Sequence, residues 1–186
     1  MKEMSDVPRR AAHEGGHGLV ACMFGLPVTR ISVQMGHNIS AAMSCDLAGA
    51  SRAEKLWVYL AGWAGNAYRV SQPTRSESFD VENYVKHLRR SKRGAGSAFG
   101  VLVFSQSDMA LAMWANPIKA LFPRSTLIEI GRFIHEHRVE FFLIMDALET
   151  QYSIDGTSVR RMCHGEPMTD TDRTRSRNAD LDYWSY

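Results

Sequence analysis

The sequence predicts a mainly α fold with a small β-strand or hairpin element. Its 186 residues are 45% hydrophobic and 23% charged, the composition of an ordinary globular domain long enough for one core. Apolar residues recur at helical spacing, most clearly over 125–152, where Leu127, Ile130, Ile134, Phe141, Met145 and Leu148 fall near one stripe. Period-two alternation is confined to a short stretch after residue 27.

Each element has its own signal. Ser5 or Asp6 can cap a first helix, Pro8 suits its first turn, and Gly25 with Pro27 ends it. "VTRISVQMG" alternates, with Val28, Ile31 and Val33 apolar, and reads as a strand; "HNISAAMSC" reads as a returning strand or a loop. Ser51 and Glu54 form a capping box ahead of "AEKLWVYLAGWAGNAYRV", a helix apolar nearly all round and therefore buried. "SQPTRSES" is a loop by composition. Ser76 or Ser78 can cap a third helix, "FDVENYVKHLRRS", and "KRGAGSAFG" is a break. A helix near 105–115 follows, interrupted by Pro117 and Pro123. One long helix is expected over 125–152, then a turn and a short helix in "SIDGTSVRRMC". Residues 1–163 form the expected domain, and the polar 164–186 a flexible tail. The tail's aromatic ending, "LDYWSY", is a candidate docking segment.

Charge and cysteine content narrow the function classes. A net charge of +2 is too balanced to argue for nucleic acid, and the basic run "KHLRRSKR" reads as a solvated helix end. Three distant cysteines, Cys22, Cys45 and Cys163, fit a reduced cytoplasmic protein, with Cys22 a core residue. "MKEMSDVPRR" has no apolar signal-peptide region, and no run approaches the ~20 apolar residues of a membrane span.

The chemistry concentrates in "AAHEGGHGLVAC", residues 11–22. His13 and His17 stand four apart, one turn along the same helix face, so both imidazoles can bind one metal ion. Glu14 is rotated about 100° from His13 and is placed to act on a water rather than to bind the ion. Such a five-residue pattern arises by chance on the order of once in a hundred chains of this composition. The glycines argue against chance. Each costs a helix interior about 1 kcal/mol relative to Ala, which suggests that another segment or a ligand comes close there. Zinc in a catalytic site takes a third protein ligand and leaves one position open. The HExxHxxGxxH pattern fails, since Val20 and Met23 stand at its last glycine and histidine. Asp46, Glu54, Glu77, Asp80 and Glu82 are the acidic candidates, and spacing alone does not choose among them. For Asp80 the plainer reading is a first-turn aspartate that favours the helix dipole. His37 reads as a solvated loop histidine, with assistance to an oxyanion at the cleft mouth as the alternative, and His135 and His137, two apart, cannot share a metal on one helix without distortion.

"AAHEGGHGLVA", "LPVTRISVQMG", "LAGWAGNAYRV", "SESFDVENYVKHL" and "HRVEFFLIMDALETQYSIDGTSVRRM", in that order over about residues 9–163, resemble the peptidase domain of FtsH-type AAA+ zinc proteases. The first block, against the family's HEAGHA, is the most specific. The resemblance implies a helical zinc-peptidase domain with His13, His17 and Asp80 as metal ligands and Glu14 as general base. It also implies that the strand near 29–35 lines the cleft and pairs with an extended substrate by β-augmentation. Trp63 replaces the arginine of the family's "LAGRAAEE", Asn66 and Ala67 replace its paired glutamates, and Phe79 replaces the asparagine before the aspartate. No GxxxxGK[ST] occurs, so the chain has no P-loop for ATP.

These features together predict an ATP-independent zinc metallopeptidase acting on flexible peptides or unfolded proteins, with Zn2+ as cofactor. The glycines would thin the helix where the third ligand's segment or a substrate strand approaches. A metal-binding adaptor with little turnover is the alternative, and a homo-oligomer or a separate ATPase is the partner left open.

Overall fold

Helix α1, Val7–Met23, carries Pro8 in its first turn, where a missing N–H disrupts no hydrogen bond. Past its end Gly25 takes a φ of +71°, and the Gly25 and Leu26 amides donate to the Cys22 and Ala21 carbonyls. The computed structural model describes residues 7–33, 42–72, 78–91, 106–117 and 123–174. After α1 come β1 (Val28–Ser32), β2 (Ala42–Cys45), α2 (Arg52–Ser71), α3 (Val81–Ser91) and α4 (Gln106–Ala115). Then follow α5 (Arg124–Glu136), α6 (Arg138–Gln151), β3 (Ser153–Asp155) and α7 (Gly156–Cys163), and a last helical turn spans 170–174. The fold is mainly helical with one small antiparallel sheet, as the periodicity predicts.

Local chemistry sets most boundaries. Ser51 caps α2 with the expected box: the Glu54 amide donates to Ser51 Oγ, and the Ser51 amide donates to the Glu54 carboxylate. Helix α3 is capped by Asp80, whose carboxylate accepts from the Asn83 amide at 2.9 Å, and the other candidate Ser76 lies outside the described residues. The expected single helix over 125–152 is two. The chain turns at His137 between α5 and α6, yet Leu127, Ile130, Ile134, Phe141, Met145 and Leu148 are all buried, so the stripe holds on both sides of the turn. "SID" adds a third strand, too short for a periodic signal, and Asp155 then caps α7 by accepting from the Thr157 and Ser158 amides.

The sheet order is β2-β1-β3, so β1 is central. Arg30, Ile31 and Ser32 pair with β2 on one side and β3 on the other, and the Val33 amide donates to the Tyr152 carbonyl. This corrects the expectation that the strand near 29–35 takes up a substrate as far as 30–32, where both edges are used; residues 34 and 35 lie outside the described residues. The outer strand with exposed residues is β2, whereas β3 is wholly buried.

Residues 164–174 are not a free tail. Asp172 is buried and accepts from the Thr169 amide and hydroxyl, Arg161 lies 3.6 Å from its carboxylate and 3.0 Å from that of Glu166, and Met168 packs on the core. "LDYWSY" lies outside the described residues.

The glycines of α1 have three different neighbours. Gly16 faces the backbone of α2, where an added Cβ would collide with the Ala61 carbonyl. Gly65 of α2 answers it against the Ala12 carbonyl, and its Cβ would also come within 3.2 Å of Gly16 Cα. Gly18 makes room for Ile31 of β1, and Gly15 faces Phe141, Ile144 and Met145 of α6. The helix is thin where α1 crosses α2, not where the Asp80 segment approaches. Gly16→Ala is therefore expected to cost about 1–3 kcal/mol by forcing two backbones apart. At Gly15 an added Cβ meets Ile144 and Met145 at 3.5 and 3.6 Å, ordinary contact. Gly15→Ala is expected to be neutral or stabilising by about 0.5–1 kcal/mol. Denaturant unfolding of both variants checks the contrast.

Candidate metal centre

His13 and His17 project from α1 toward α2, one turn apart, with their Nε2 atoms 3.2 Å from each other. They fit there because residue 62 is glycine. A Cβ on Gly62 would lie 2.6 Å from His13 Cε1 and collide with His17 Nε2. The third group comes from far along the chain. Asp108, in the first turn of α4, sets its Oδ2 3.2 Å from His13 Nε2 and 3.5 Å from His17 Nε2. Among the described residues these three form the group that can hold a metal ion.

The donor atoms make a triangle with edges of 3.2, 3.2 and 3.5 Å. A tetrahedral ion with bonds of 2.0–2.1 Å has ligand–ligand edges of about 3.3 Å, so the triangle matches one face of such a site. The tautomer of His17 agrees. Its Nδ1 lies 2.6 Å from the Val58 carbonyl, which only accepts, so Nδ1 carries the proton and Nε2 is the coordinating atom. A cation inside the triangle would take the place of the ring protons that otherwise lie between these atoms.

The third carboxylate is thus Asp108 rather than Asp80. Asp80 is exposed and caps α3, as the plainer reading of a helix-opening aspartate has it. The other acidic candidates are also used or placed elsewhere: Asp46 accepts from the Ala48 amide, Glu54 caps α2, and Glu82 is exposed on α3. Glu77 and His37 lie outside the described residues. His135 is buried with Nδ1 3.0 Å from the Tyr68 hydroxyl, while His137 sits at the α5–α6 turn beside Phe133. Asp108 did leave a trace in the sequence. It is the sole charged residue of "QSDMALAMWA" and stands at the start of that helix.

Glu14 is buried beside the triangle. Burial lifts its carboxyl above the ordinary carboxylate range; the imidazoles of His17 and His13 offset part of this, Asp108 adds to the rise, and the Met43 backbone N–H of β2 lowers it. Burial also works to raise Asp108, but hydrogen bonds and charge from His13 and His17 outweigh it and hold this carboxyl well below the usual range. For His17, burial works against the charged form, yet the Asp108 hydrogen bond and the charges of Glu14 and Asp108 lift it to about 9. A carboxyl raised by burial, beside a metal-type triangle, is suited to accept a proton from a water.

No protein-family model matches the chain, and no curated protein matches it in sequence.

The His17 shift sets a pH dependence for the protein stripped of metal. Its folded value of about 9 exceeds the ordinary 6.5, so its contribution to stability is complete below pH 6.5 and is lost as pH rises through about 9. The loss is expected to be roughly 3 kcal/mol. Metal displaces the same proton, so apparent metal affinity should rise with pH up to about 9 and metal-saturated protein should lack the decline. Melting temperatures from pH 6 to 9.5, with and without a chelator, check both.

Proposed function

We propose that the chain is a zinc metallopeptidase of the HExxH type, similar in design to the peptidase domain of FtsH-type proteases, and acting without ATP on flexible peptides or unfolded proteins. The observation that carries this is the His13, His17 and Asp108 triangle with Glu14 buried at its side. Zinc suits two imidazoles and one carboxylate, and when bound it supplies a Lewis acid for a carbonyl and for a water. Glu14 then accepts the proton of the attacking water and returns it to the leaving amine, a task suited to a carboxyl raised by burial. Asp108, held ionised by the imidazoles, keeps its charge on the ligand side. An extended substrate is supported by β2, an outer strand whose Met43 N–H faces Glu14, so a chain added along β2 runs past the site.

The test is cleavage of an unfolded, fluorescently labelled protein without ATP, read together with zinc content. Glu14→Gln is expected to keep zinc and lose at least about 100-fold in turnover. Asp108→Asn is expected to lose zinc and activity together. Asp80→Ala is expected to keep both and lose only a helix cap, about 1 kcal/mol. Zinc in the wild type with no cleavage would replace the peptidase reading with that of a metal-holding adaptor, and loss of zinc in Asp80→Ala would return the third ligand to Asp80.

A further inference from the structure

The residue beside His13 on the far side from Asp108 is Asn66, and its amide is half satisfied. Its Nδ2 lies 3.3 Å from His13 Nδ1, while its Oδ1 is buried without a hydrogen-bond partner. In that orientation the NH2 group donates to Nδ1, which forces the ring proton of a neutral His13 onto Nε2, the atom facing Asp108 and His17. A half-turn of the amide exchanges its two ends at almost no steric change. Oδ1 then accepts from Nδ1–H, and the place it leaves, where no donor points, is taken by the NH2 group.

The turned amide gives both histidines the same support. His17 already donates Nδ1–H to the Val58 carbonyl. Val58, Gly62 and Asn66 stand four apart, so they share one face of α2 and span the two rings. Val58 holds one ring, Gly62 leaves the space and Asn66 holds the other. We infer that Asn66 is a positioning residue: its side-chain oxygen holds His13 as the Nδ1–H tautomer, so that Nε2 presents a lone pair to the metal. This rests on the metal reading above. An amide does the task without charge, where a carboxylate would also add a negative charge next to the ligand.

The experiment uses the full chain as wild type, Asn66→Leu and Asn66→Asp. Zinc affinity is measured by competition with a chelator, and the protonated ring nitrogen of His13 by nitrogen-15 NMR. Asn66→Leu is expected to weaken zinc about 10- to 100-fold and to release the Nδ1 proton, with circular dichroism unchanged. Asn66→Asp, which can only accept from Nδ1–H, is expected to restore wild-type affinity or exceed it. The inference is overturned if Asn66→Leu binds zinc as wild type does, or if Asn66→Asp weakens it as much as Asn66→Leu, which would make the NH2 group the working end. Should wild type bind no zinc, the metal reading fails separately. The NMR signature then still decides the tautomer: a proton on Nδ1 of wild-type His13 supports Asn66 as its acceptor, and a bare Nδ1 overturns it.

Discussion

The site depends on two helix backbones lying in direct contact. Where α1 crosses α2, Gly16 meets the Ala61 carbonyl and Gly65 meets the Ala12 carbonyl, so no side chain separates them. Ala12, Ala61 and Ala64 are buried along with them. Packing at this range has one consequence for chemistry. His13 and His17 reach α2 with the whole imidazole, and α2 answers with backbone and short side chains: Val58 O, Gly62 and Asn66. A wider spacing would leave the ring Nδ1 atoms without partners and the Nε2 atoms free to swing. The propensity lost at each helical glycine, about 1 kcal/mol, is offset by that close packing.

Asp108 ties a different kind of element to this frame. Helix α4 has ten residues and packs on α2, with Ala112 and Ala115 buried, Met113 partly buried against the core, and Leu111 and Trp114 exposed. The Asp108 contact with the two imidazoles adds a polar tie to that packing. An ion in the triangle would bind α4 to α1, and its binding energy would count toward folding. Metal content and the order of this helix should therefore be linked.

Much of this was legible in the sequence, and the failures have physical causes. The capping box of α2, the buried stripe of α5 and α6 and the pairing of His13 with His17 are local patterns, fixed by spacing along a helix. The turn at His137 was hidden because the apolar spacing stays in phase across it. The third strand has three residues, too few for alternation to show. Asp108 is 91 positions beyond His17, and sequence spacing holds no information about a contact made by tertiary packing. Asp80 drew attention because it opens a helix, yet a helix-opening aspartate is satisfied by its own amides, as the bond to Asn83 demonstrates. The glycines pointed correctly to a close approach, but only the structure says which segment approaches.

Two carboxyl groups share one buried site, and their surroundings divide the work between them. Asp108 accepts from imidazole nitrogens and is held ionised, which suits a ligand. Glu14 has burial as its largest influence and is raised, which suits a group that must gain and lose a proton. Exchanging the two would fail on geometry as well as charge. Glu14 follows His13 directly, about 100° around the helix, whereas Asp108 comes from α4 and meets both imidazoles. Two like groups in one site are shifted in opposite directions, and such a split suits them to different roles. Here the assignment follows from which helix each residue stands on.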